Sequence, residues 1–371
     1  MKIVVLHAYS STNSGDGLLV AEALDLVNAA FDSPHVLVLA LDPDSFRSVG
    51  NVTYIHPLTG AGATPSTKLM LGASIKALLR GSRLPRRVRE AVRDADLVVA
   101  VGGGYMRGAT LTEAIKTYLA HVPQTEAAIL NGSSVYLPQS VGPFRYLPTP
   151  VLAPRLRKVG TYFVRDDRSL DLFKGASNAR RAPDNALLAL ATIAPASRNG
   201  SGIKPIGLVA RSLSSTRTRT RHYVSNIRAL RELTGAELLV QASARGNDDG
   251  HFYRNSLGFS ASARSLVQAT SAGQDRVGVV VSVRLHGAIQ SIRNGVPAVH
   301  LSYERKGWGA YEDLGLAEYV HNAFDFDPAA VADQLSELAS APQAYWTQVD
   351  NAVESLRSSR EEILSAVRGG L

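Results

Sequence analysis

Short apolar runs alternate with amphipathic stretches along almost the whole chain. "KIVVLH" (2–7), "HVLVLA" (35–40), "DLVVAVGGG" (96–104), "SVYLPQS" (134–140) and "TYFVRD" (161–166) read as buried strands, short and rich in β-branched residues. Between them, "GLLVAEALDLVNAAF" (17–31) and "TLTEAIKTYLAHV" (110–122) carry the helical period. At 192–205, "TIAPASRNGSGIKP" has no period and collects Pro, Gly and Ser, which predicts a linker. The strand pattern then restarts with "PIGLVAR" (205–211), "AELLVQAS" (236–243), "RVGVVVSVR" (276–284) and "PAVHLSY" (297–303). From about 328 onward the chain reads as helix. Strands separated by helices predict mostly parallel sheets covered on both faces. The expected fold class is therefore α/β: two doubly wound Rossmann-like domains facing across a cleft. Their expected bounds are 1–195 and 203–335, with a helical segment at 336–371 returning to the first domain.

Composition narrows the picture only in part. A chain of 371 residues, 45% hydrophobic, is long enough for two cores. Forty Lys and Arg against 32 Asp and Glu leave a formal charge of +8. That excess suits nucleic acid, an anionic membrane face or a polyanionic substrate without choosing among them. The absence of cysteine excludes disulfides, thiolate nucleophiles and Cys-based zinc sites. The apolar run in "MKIVVLHAYSS" is too short for a signal peptide, and no stretch approaches the roughly 18 apolar residues of a membrane span. A cytoplasmic protein is expected, with peripheral contact at the inner membrane face left open.

In a parallel sheet, ligands sit beyond the carboxyl ends of the strands, and several motifs fall there. "STNSGDGLL" (11–19) follows the first strand, and its Asn13, Ser14, Gly15 and Asp16 favour a turn and a helix start that attracts polar ligands. An ordinary capped loop would use the same residues. The motif is neither G-x-G-x-x-G nor G-x-x-x-x-G-K-[ST]. In "VGGGYMRG" (101–108), Gly102, Gly103 and Gly104 allow close backbone approach, to a ligand or merely within a tight turn. "YFVRDDRSLDLF" (162–173) places Arg165 at a strand end with Asp166 as the next helix cap, and "PDNALL" (183–188) offers an Asp suited to orienting a loop.

"RSLSSTRTRTRHYVSNIRALR" (211–231) carries six arginines and no acidic residue. It is a solvated basic face, or it holds a phosphate-bearing donor through Arg211 or an acceptor near an anionic membrane. No interleaved aromatic platform accompanies it, so nucleic acid is not expected. "VSVRLHGAIQSIRNGVPAV" (281–299) places Arg284 at a strand end and His286 just inside the following helix. "YERKGWG" (303–309) places Lys306 after the next strand. Arg284, His286 and Lys306 together suit a compact, highly anionic ligand beside a helix N-terminus.

The set "NSGDGLL", "VGGGY", "PQSVGPF", "VRDDRSL", "PDNALL", "RLHGAIQSIRNGVPAV" and "YERKGWGAYEDLGL" resembles the polysaccharide pyruvyl transferase family, in order and from residue 3 to about 320. Two details depart from the family pattern: Glu304 stands where Asp is common, and "PQSVGP" replaces "GQGIGP". The resemblance implies a GT-B-like fold, phosphoenolpyruvate as donor, and a sugar hydroxyl pair as acceptor, on a cell-surface polysaccharide or its lipid-linked precursor. The product would be a cyclic pyruvate ketal. It assigns donor contacts to Arg165, Arg284, His286 and Lys306, joined by Arg211. Asn13, Gly15 and Gly102–Gly104 fall on the acceptor side. His286, protonated among the anions, is the expected acid toward the donor methylene, and Asp16 the expected base toward the hydroxyl. No metal and no cofactor are expected, phosphoenolpyruvate being a co-substrate. A sugar-nucleotide glycosyltransferase of the same fold is the nearest rival, with Glu304, Glu312 or Asp313 toward a ribose. A basic, non-catalytic binder of anionic polymers is a more distant one.

Overall fold

A computed structural model describes the chain except residues 80–82, 147–148, 193–197, 199–203, 245–246, 260–262 and 371. The linker expected at 192–205 falls mostly on these, outside the described residues. Two compact units emerge. The first comprises Met1–Ser11, Asp16–Leu188 and Ser358–Leu371, and the second Thr12–Gly15 and Ala189–Arg357.

The first unit is built on β1 (Lys2–Ala8), β2 (His35–Ala40), β3 (Val52–Ile55), β4 (Leu97–Ala100), β5 (Gly103–Gly108), β6 (Ser134–Phe144), β7 (Thr161–Val164) and β8 (Ala179–Arg181). Their order is β3-β2-β1-β4-β6-β7-β8, with β5 beside β6, and every pairing is parallel. β4 is buried at every position and β1 at all but its first, because helices cover both faces of such a sheet. The chain winds outward from β1 to β3, then returns to lay β4 on the other side of β1. That reversal is the topological switch point, where the loops after neighbouring strands part and leave a crevice.

The second unit repeats the plan with β9 (Ile206–Val209), β10 (Glu237–Val240), β13 (Arg264–Ser265), β14 (Val279–Ser282), β15 (Ala298–Ser302) and β16 (Val320–Asn322). Their order is β13-β10-β9-β14-β15-β16, all parallel, so its switch point lies between β9 and β14. A small antiparallel hairpin joins β11 (Ser243–Ala244) to β12 (Asn247–Asp248). Helices Pro328–Ser340 and Gln343–Gly369 end the chain.

Three local details differ from the sequence reading. The glycine run read as a turn leads directly into β5, a second parallel strand. The segment read as one helix at 110–122 is a helix at Leu111–Lys116 followed by a π-helical turn at Thr117–His121 and a helix at Val122–Asn131. Pro123 has no N–H to return to the preceding turn, and the ladder widens there so that Val122 N–H reaches the Thr117 carbonyl. β6 continues to Phe144, beyond the expected end at 140. Among the described residues no helix is long and apolar enough to cross a membrane.

Candidate active site

Each unit carries polar residues at its own switch point. In the first, Asp16 opens the helix after β1, Ser14–Ala30, and Gly102–Gly104 follow β4. Arg165, one residue beyond β7, is buried and donates to Ser140 Oγ and to Asp184. Its ion-pair partner Asp184, 2% exposed, also accepts the Ala186 N–H. Asp166 caps the helix Asp167–Asp171, as expected, accepting the Ser169 N–H at 2.8 Å. Gly104 leaves room for this geometry: a Cβ there would stand 3.2 Å from the Arg165 guanidinium, close enough to displace it by a few tenths of an ångström.

Behind the β1 end lies a polar cluster that the sequence reading did not single out. His7 and His121 are fully buried, their Nδ1 atoms 3.1 Å apart, and Tyr9 Oη lies 2.9 Å from His121 Nε2. His7 has φ of 67°, a left-handed conformation costing a non-glycine residue about 1–3 kcal/mol. It sits where the β1–β2 register breaks. Gln124 holds it there, accepting the His7 N–H and donating to the Ala120 carbonyl. Burial, then the neighbouring imidazole, pushes the His7 pKa well down, and burial takes His121 to about 3. Lys116 Nζ lies 4.0 Å above the Tyr9 ring. Asp16 acts electrostatically on both Tyr9 and Lys116.

In the second unit, Arg284 caps the helix Leu285–Arg293 and His286 occupies its first turn. Arg284 is 7% exposed, with Nε 2.9 Å and Nη2 2.5 Å from Asp249 Oδ1. Asp249 is completely buried and accepts the Gln241 and Ala242 N–H groups as well. A carboxylate saturated in this way fixes the guanidinium plane. Nothing in sequence marked Asp249. Ser282 Oγ accepts the Arg284 N–H and donates to its carbonyl, shaping the strand end.

Arg211, which follows β9, reaches the Tyr303 hydroxyl after β15, and Tyr223 Oη bonds its carbonyl. Lys306 stands in the first turn of the helix Arg305–Asp313, 3.1 Å from Glu304. β14 and β15 are adjacent, so the elements bearing His286 and Lys306 are neighbours.

Asn13 and Gly15, read from sequence as part of the first domain, group instead with this unit. Asn13 bridges to Ala242, and its Oδ1 accepts the Gly15 N–H. A Cβ on Gly15 would stand 2.5 Å from His286 Nδ1, so only glycine leaves that imidazole its place. Among the described residues, no three His, Asp or Glu side chains are grouped to hold a metal ion.

The sequence profile of the polysaccharide pyruvyl transferase family matches residues 13–305, a span containing the residues described in the second unit's site except Lys306, one position beyond it. The chain belongs to that family. Its members are transferases, and the protein is accordingly a polysaccharide pyruvyl transferase family enzyme. No curated protein matches it in sequence.

Solved structures similar to this pyruvyl transferase family member include a trehalose-6-phosphate structure from E. coli bound with UDP-2-fluoro glucose. It has TM-score 0.52 and 13% identity, covering 99% of both chains. The S. aureus MnaA–UDP co-structure has TM-score 0.50 and 11% identity, covering 99% of this chain and 96% of the other. Such identities speak for the fold alone, and the fold is GT-B-like: two parallel-sheet α/β units.

Proposed function

We propose that the protein transfers pyruvyl from phosphoenolpyruvate to a hydroxyl pair of a glycan, or of its lipid-linked precursor, closing a cyclic ketal. The observation carrying this reading is the second unit's switch point. Arg211 follows β9 and Arg284 follows β14, with His286 on the helix N-terminus between them and β15. A carboxylate and a phosphate on a three-carbon frame match guanidinium forks, a helix N-terminus and the Lys306 point charge.

His286 gives its proton to the methylene carbon of phosphoenolpyruvate, leaving a cationic centre at the adjacent carbon. An acceptor hydroxyl attacks that carbon as Asp16 takes its proton. The C–O bond to phosphate then breaks with its electron pair leaving on phosphate, and the second hydroxyl attacks the same carbon and closes the ring, its proton passing to the released phosphate. The scheme requires general acid and base but no resident metal or cofactor. The +8 charge fits a cytoplasmic enzyme that meets a membrane-borne acceptor at an anionic surface.

The test is incubation with phosphoenolpyruvate and a panel of methyl glycosides. Phosphate release should accompany a mass gain of one pyruvyl ketal on one glycoside. Absence of both across the panel, with thermal stabilisation by UDP-sugars and none by phosphoenolpyruvate, would favour the second reading. That reading, a sugar-nucleotide glycosyltransferase, draws on the UDP ligands of the two similar structures.

A further inference from the structure

We infer that Tyr9 binds a sugar hydroxyl, and that the buried His121–His7 pair turns its proton inward so that it meets the ligand only as a hydrogen-bond acceptor. The inference rests on the pyruvyl-transfer reading and adds a second acceptor-recognition group beside Asp16.

The direction of the hydrogen bonds follows from the innermost link outward. Thr125 Oγ1 donates to the His121 carbonyl at 3.1 Å, so it accepts from Tyr136 Oη at 3.4 Å. Tyr136, having spent its proton, accepts from His7 Nε2 at 3.4 Å. A neutral imidazole with its proton on Nε2 has a bare Nδ1. His7 Nδ1 therefore accepts from His121 Nδ1–H, which leaves His121 Nε2 bare. Only Tyr9 can then supply the proton of the 2.9 Å contact between Oη and Nε2. Burial favours the neutral state of both imidazoles that this logic requires. The chain of donors runs inward from Tyr9 and closes on the His121 carbonyl, which orients the Tyr9 proton.

Placement supports a ligand role. Tyr9 stands one residue past β1, at the switch point, half-buried. Three irregularities converge just behind it: the left-handed His7, the register break in β1 and the π-helical turn ending at His121. Bulges, π turns and strained residues concentrate at functional sites. Lys116 over the ring and the charge of Asp16 nearby complete a polar rim. A ketal needs two hydroxyls. Tyr9 and Asp16 are two acceptors for their protons.

Two measurements on the full chain test this. First, ¹⁵N spectra of histidine-labelled protein, assigned with His7→Asn and His121→Gln, should show His121 protonated at Nδ1 and His7 at Nε2; the opposite tautomers overturn the lock. Second, Tyr9→Phe should raise the acceptor KM about five- to tenfold, the loss expected for one hydrogen bond, while the phosphoenolpyruvate KM stays within twofold. His121→Leu should shift the acceptor KM in the same direction, and His121→Gln, whose amide oxygen can still accept from Tyr9, should largely restore it. A wild type that releases no phosphate with any glycoside defeats the proposed function itself. An active wild type whose acceptor KM is unchanged in Tyr9→Phe defeats only this inference.

Discussion

Asp16 and His286 belong to opposite halves of the proposed chemistry, and substitution should separate them. Asp16→Asn keeps size and turn-forming ability but removes the base. Turnover should fall at least a hundredfold, the lower end of what a general base contributes, with phosphoenolpyruvate affinity nearly unchanged. His286→Ala should damage both, because the imidazole is an anion contact as well as the acid. Near-native turnover in Asp16→Asn would return Asp16 to plain helix capping. The two cations beside His286 differ in another way. Lys306 and Glu304 are each about a third exposed, at 29% and 33%, so Lys306→Ala should weaken donor binding about tenfold and leave stability intact. Arg284 is locked to fully buried Asp249, and Asp249→Ala strands a buried guanidinium at a cost of about 3–5 kcal/mol. Urea unfolding of the two variants side by side reads the difference, and equal midpoints would refute it.

Elements differ in how plainly sequence announces them, for physical reasons. β1, β4, β7, β9, β14 and β15 stand out as apolar runs because burial on both faces demands apolar residues at successive positions. β3 and β8 stay partly open to solvent and did not stand out. β5 is glycine-rich and imitates a turn, with Gly104 lying beside the Arg165 guanidinium while Tyr105 and Met106 are buried. The arginines and His286 were legible from their strand-end positions, but their carboxylate partners were not equally so. Asp184 was noticed as a loop-orienting Asp, whereas Asp249, 35 residues from Arg284, has no local signal. His7 and His121 lie 114 residues apart, and each alone reads as an ordinary strand or helix residue.

The C-terminal helix Gln343–Gly369 also does work that its amphipathic pattern hides. Tyr345 Oη accepts the Ala298 N–H and donates to its carbonyl, pinning the start of β15. Tyr345→Phe should therefore cost about 1–3 kcal/mol by leaving that buried N–H without its partner. Phosphoenolpyruvate KM should not move, and a shift in KM without loss of stability would contradict the anchoring role.

For the whole molecule, apolar periodicity yielded the two-sheet α/β plan, and the family's motifs yielded its GT-B character. Order along the chain assigned residues 12–15 to the first domain; their contacts group them with the second, which no periodicity encodes. A global consequence follows from buried histidines in both units. Burial lowers the pKa of His56 to about 4, of His121 to about 3 and of His300 to about 4, and pushes His7 well down. In the unfolded chain each would titrate near 6.5. Between those values the unfolded state binds protons that the folded state refuses, so acid favours unfolding. The stabilisation is complete above about pH 6.5 and is lost as pH falls toward 4, with each histidine costing about 1.4 kcal/mol per pH unit inside its window. Unfolding free energies in urea should thus be flat from pH 8 to 7 and drop steeply from 6 to 4. Replacing His300 by Gln should flatten part of that drop, because an amide in the same site, near the Ser282 carbonyl that His300 Nδ1 meets at 2.8 Å, has no proton to gain. A stability that stayed level to pH 4 would mean these imidazoles are hydrated in solution, and the packing around β1 and β15 would need redrawing.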